Sequence, residues 1–86
     1  MRDEYIGHAK EYVIRQILLH FSAFEQDQKA MKFRDDLLRN SQNWRSGYNE
    51  QDDCYWVTPE TSNGYGFQLP FNALKISGRD LMALLG

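Results

Sequence analysis

Tyr5-Ile-Gly-His-Ala-Lys-Glu-Tyr-Val-Ile-Arg-Gln-Ile-Leu-Leu-His-Phe21 holds the densest apolar content of the chain and its clearest helical period. Ile6, Ala9, Val13, Ile17 and Phe21 follow the three-and-four spacing of one helix face. Ile14, Leu18, Tyr5, Tyr12 and Leu19 widen that face on both sides. So broad a stripe predicts a first helix that reaches Phe21 and is largely enclosed. The cover would come from the rest of the domain or partly from a second copy, so a homodimer is expected. Asp3 and Glu4 suit the first turn of such a helix, where the dipole favours acids. Gly7 weakens it by about 1 kcal/mol against alanine and marks either fraying or a close contact.

Downstream, Ser22-Ala-Phe-Glu25 has the spacing of a capping box and predicts a break near Ser22. A second, more polar helix is then expected over 23–44, turning its Ala23 or Phe24, Ala30, Met31, Leu37, Leu38 and Ser41 inward. Phe33 and Trp44 fall at the margins of that stripe. Antiparallel packing of the two helices is the simplest way to cover the first.

Residues 45–53 read as a loop by composition. The period then changes. Cys54-Tyr-Trp-Val-Thr58 is rich in β-formers, Asn63-Gly64 is a turn dipeptide, and Tyr65-Gly-Phe-Gln-Leu69 alternates as a returning strand. A β-hairpin of 54–58 with 65–69 is predicted, with a further short strand within 71–76. By alternation Tyr55 and Val57 face one side of that hairpin and Cys54, Trp56 and Thr58 the other. Ser77-Gly-Arg-Asp80 caps a final two-turn helix over 81–85. The expectation is a single α+β domain over residues 1–86: a two-helix antiparallel hairpin, a β-hairpin and a short C-terminal helix.

Composition narrows the function classes. One cysteine, Cys54, allows no internal disulfide and no cysteine metal framework. No run approaches membrane-spanning length, and the start Met1-Arg-Asp-Glu lacks a signal-peptide core, so a cytoplasmic location without membrane contact is expected. A formal net charge of -2 gives no general attraction to nucleic acid. Glu4 and His8 share helical spacing, but no further ligands stand at metal-site intervals. No phosphate loop, nucleophile elbow or zinc pattern occurs, so neither metal nor cofactor is expected.

Arg15-Gln-Ile-Leu-Leu-His20 has the form Arg-x4-His. These six residues resemble the catalytic motif of HEPN-type ribonucleases. The resemblance implies that Arg15 and His20 would handle proton transfer and phosphate charge in RNA cleavage, on an all-helical bundle. Gln16 departs from the small polar residue that the motif favours after its arginine.

The stretch 46–74 is the most informative for binding. It carries Tyr48, Tyr55, Trp56, Tyr65, Phe67 and Phe71, no lysine or arginine, and the acids Glu50, Asp52, Asp53 and Glu60. Aromatic platforms for nucleic acid sit beside basic grooves, so acids here point to a protein partner instead. The leading expectation is a non-enzymatic protein-binding module, an inhibitor or adaptor that occupies a basic surface of a nucleic-acid-handling protein. Its contacts would be Tyr48, Glu50, Asp52, Asp53, Tyr55 and Trp56. The alternatives are a nucleic-acid-binding regulator using Lys29, Lys32, Arg34, Arg39 and Arg45, and a ribonuclease of the Arg-x4-His kind.

Overall fold

The computed structural model describes residues 2–60 and 74–86, which form one small α+β domain. Helix α1 spans Arg2–Phe21, α2 spans Gln28–Arg39 and α3 spans Gly78–Leu85. Strands β1 (Arg45–Asn49), β2 (Cys54–Thr58) and β3 (Lys75–Ser77) form an antiparallel sheet with β2 in the centre.

The first helix is the spine. Ala9, Val13, Ile17 and Phe21 are all sealed from solvent at 0–1% exposure. Its C-terminal half shares a core with Ala30, Phe33 and Leu37 of α2, with Trp44, and with Val57 of β2. Its N-terminal half meets Tyr55, Ile76 and Leu81, from the sheet and α3. One stripe of one helix thus binds two clusters together. The stripe is narrower than expected, since Leu18 (43%) and Leu19 (63%) face solvent and Ile6, Tyr5, Tyr12 and Ile14 are half-buried. Gly7 sits in continuous helix, and a Cβ there would meet nothing within 4 Å. It therefore marks neither a break nor a close contact.

The break falls at Ser22, as the sequence indicates, but by other means. Ser22 Oγ donates back to the Leu19 carbonyl (2.6 Å), and residues Ser22–Phe24 form a 3-10 turn. The cap of α2 is Asp27, whose Oδ1 accepts from the amides of Lys29 (2.9 Å) and Ala30 (3.2 Å). The second helix is consequently shorter than 23–44, and Ala23 and Phe24 are exposed instead of inward. Phe33 and Trp44, assigned to the margins, are core residues.

The hairpin is also shifted. Residues 45–49 are a strand, not a loop, and pair with β2 in the register Tyr48↔Tyr55 and Gly47↔Trp56. Ser, Gly and Asn carry little strand propensity, so cross-strand packing supplies it. A Cβ on Gly47 would lie 2.6 Å from Trp56 Cζ2, which shows the indole laid directly on the glycine. The strand expected at 65–69, its Asn63-Gly64 turn and residues 71–73 lie outside the described residues. Strand β3 covers the end of the expected 71–76 strand, and Tyr55 and Val57 face inward as alternation requires. Ser77 caps α3 by accepting from the Asp80 amide at 3.1 Å.

Two outcomes follow for stability, both read by urea or thermal unfolding. Ile17→Ala should cost about 2–5 kcal/mol because the site is sealed, whereas Leu19→Ala should change stability by less than about 0.5 kcal/mol. A large loss at Leu19 would contradict its exposure. Gly7→Ala should stabilise the protein by about 0.5–1 kcal/mol, since open space surrounds an interior helical glycine.

Candidate functional site

The β1–β2 turn is short, acidic and tightly tied. Asn49 Oδ1 accepts from the Gln51 amide (3.0 Å) and its Nδ2 donates to Asp52 Oδ2 (3.0 Å). These are the local bonds that asparagine brings to turns. Glu50, Gln51, Asp52 and Asp53 are all exposed. Asp53 adopts φ 48°, the left-handed conformation that Asp tolerates better than most residues.

Three contacts hold Asp53 in that conformation. Its carbonyl accepts from the Gly78 amide (2.8 Å). Its Oδ1 accepts from the Tyr48 hydroxyl (2.6 Å). The carboxylate lies against Gly78 so closely that a Cβ there would collide with Oδ1. Asp53 therefore ties the hairpin turn to the start of α3. Composition could assign it only as one more surface acid.

An open hollow of about 390 Å³ lies beside this tie. Tyr5 of α1, Tyr48 of β1 and Tyr55 of β2 line it, together with Asp53, Arg79 and Met82. Tyr48 and Tyr55 pack at 4.6 Å between ring centroids, inclined by 46°. Tyr55 is buried, while Tyr5 and Tyr48 are half-buried and so present ring surface.

The six expected contact residues accordingly divide three ways. Tyr48, Asp53 and Tyr55 converge on the hollow. Glu50 and Asp52 stand exposed on the turn itself. Trp56 belongs to the other face of the sheet, over Gly47 and opposite Lys75. Tyr5, Arg79 and Met82 join the site from segments remote in sequence, and no local pattern pointed to them.

The other candidates are more dispersed. Arg15 and His20 are five residues apart, about 140° around the helix axis, and the fold does not bring them together. Arg15 is exposed beside His8, Glu11 and the leucines of α3, whereas the His20 ring packs on Phe21 (5.0 Å) and Phe24 (5.5 Å). The sheet also departs from the all-helical bundle that the motif's resemblance implies. His8 lies 3.8 Å from Glu11, rather than pairing with Glu4. Among the described residues no group of three His, Cys, Asp or Glu side chains could hold a metal ion. Arg34 pairs with Asp35 (2.9 Å) and Arg45 with Glu60 (3.0 Å), which leaves Lys29, Lys32 and Arg39 as exposed cations on α2. No helix among the described residues is long and apolar enough to cross a membrane.

No family model, no curated protein and no solved structure matches the chain.

The Asp53–Gly78 contact makes a specific energetic prediction. Gly78→Ala should destabilise the protein by about 1–3 kcal/mol through overpacking. In an Asp53→Ala background the same change should cost nothing or stabilise, because alanine is the better helix former. A double-mutant cycle by chemical denaturation measures this, and additive costs would show that the two residues are not in contact.

Proposed function

We propose that this chain is a non-enzymatic protein-binding module, an inhibitor or adaptor whose acidic β1–β2 turn engages a basic surface of a nucleic-acid-handling protein. The supporting observation is the exposed run of Glu50, Asp52 and Asp53, held in one geometry by Asn49 and Tyr48 beside a tyrosine-lined hollow. A turn ordered before binding loses little entropy on association. Carboxylates on such a turn can meet the lysines and arginines that a nucleic-acid-handling surface offers to phosphates. Tyrosines beside them supply rigid contact area of the kind that dominates interface energy. Trp56, on the opposite face of the sheet, is assigned to the support of β1 and not to the contact.

The test compares wild type with Glu50→Lys/Asp52→Lys as bait in a lysate of the source cells. Both side chains are exposed and outside the Asp53 tie, but Asp52→Lys gives up the Asn49 bond of the turn, so Glu50→Lys alone is run beside the double variant to separate charge from turn geometry. A basic protein retained by wild type should be weakened by about tenfold or more in the double variant, two reversed charges costing several times a single rim contact. Equal retention by wild type and the double variant would refute the reading.

A further inference from the structure

We infer that the hollow between α1, the hairpin turn and α3 receives an arginine side chain of the basic partner. This inference rests on the docking role proposed for the turn, and it names the side chain that would anchor the complex.

Among the described residues that line the hollow, Asp53 is the acid and Arg79 the cation, and the exposed acids Glu50 and Asp52 stand on the turn that carries Asp53. Asp3 and Glu4, both exposed, occupy the first turn of α1 just before Tyr5, so folding brings acids from two remote stretches near one hollow. A cation is therefore drawn to this end of the molecule.

The walls select which cation. Tyr5 and Tyr48 present ring surface, and Met82 adds a polarizable apolar one. A planar, weakly hydrated guanidinium stacks on such rings more readily than a compact, strongly hydrated ammonium. At the rim, Asp53 is already fixed: Tyr48 occupies Oδ1, and among the described residues Oδ2 has no hydrogen-bond partner. One oriented carboxylate oxygen beside exposed tyrosine ring surface is the acceptor that a guanidinium N–H requires.

An anion fits less well. The Tyr48 hydroxyl, a natural donor for it, is already given to Asp53, and the fixed carboxylate would repel it. Arg79 is the opposing element. It lies exposed at the rim, and its charge should weaken the entry of a second cation.

The test is an NMR titration of the full chain with N-acetyl-argininamide, using N-acetyl-citrullinamide as the neutral isostere. The arginine probe should give saturable shifts at Tyr5, Tyr48, Asp53, Gly78 and Arg79, and the citrulline probe should bind about fivefold or more weakly. Arg79→Gln, an exposed change that spares the fold, should tighten the arginine probe by about twofold or more. Tyr5→Ala should weaken it while the amide signals of Val13 and Ile17 stay in place. Equal affinity for the two probes, shifts confined to Glu50 and Asp52, or a loss of binding in Arg79→Gln would overturn the inference.

The two proposals fail separately. A partner that depends on Glu50 and Asp52, in a protein that ignores the arginine probe, would leave the docking role standing and remove the arginine seat. Specific arginine binding with no such partner would retain the seat and remove the role assigned to the turn.

Discussion

Everything in this domain depends on burying one stripe of α1. Ala9, Val13, Ile17 and Phe21 are shut off from water completely or nearly so, and no single neighbour does it. The C-terminal half needs α2, Trp44 and Val57, and the N-terminal half needs Tyr55, Ile76 and Leu81. A chain of this size buries a modest share of its surface and is correspondingly marginal. Using the same helix as a wall of both clusters spares it a second independent core. The sheet and α3 are therefore held in place by the element that also holds α2.

That arrangement positions the site. Tyr55 is inward on β2 because β2 lies on α1, and its cross-strand partner Tyr48 follows it to the same face. Tyr5 comes from the first turns of α1, beside the hairpin turn. Asp53 closes the structure by accepting from both Tyr48 and Gly78, which joins β1 to α3 at that end. The residue with the least common backbone conformation in the described chain is thus the junction between the sheet and the last helix. Strain of that kind persists only where surrounding contacts compensate it, and three of them do so here.

Legibility varied with the range of the interaction. The period of α1 predicted its buried stripe, and Ser77 before Asp80 predicted the cap of α3, since both are contained within a few residues. The cap of α2 was misassigned because Ser22 and Asp27 are both capping residues. Only the direction of the Ser22 hydroxyl, back to Leu19, separates them. Strand β1 was missed for a different reason: Gly47 is tolerated there because Trp56, nine residues on, lies over it. Of the candidate site, Tyr48, Asp53 and Tyr55 were legible as an aromatic and acidic stretch, whereas Tyr5, Arg79 and Met82 were not.

The sequence by itself determined the class of the fold, the helix that organises it, the strand over 54–58, and the acidic aromatic character of residues 48–56. These rest on periodicity and composition, which any local window contains. Tertiary structure alone decided which strand pairs with β2, which acid ties the turn to α3 and which stands exposed on the turn, and which tyrosines share a wall. The physical reason is distance along the chain. Residues 5, 48, 53 and 79 acquire common surroundings only once α1 has been buried from both ends, and no local pattern encodes that meeting.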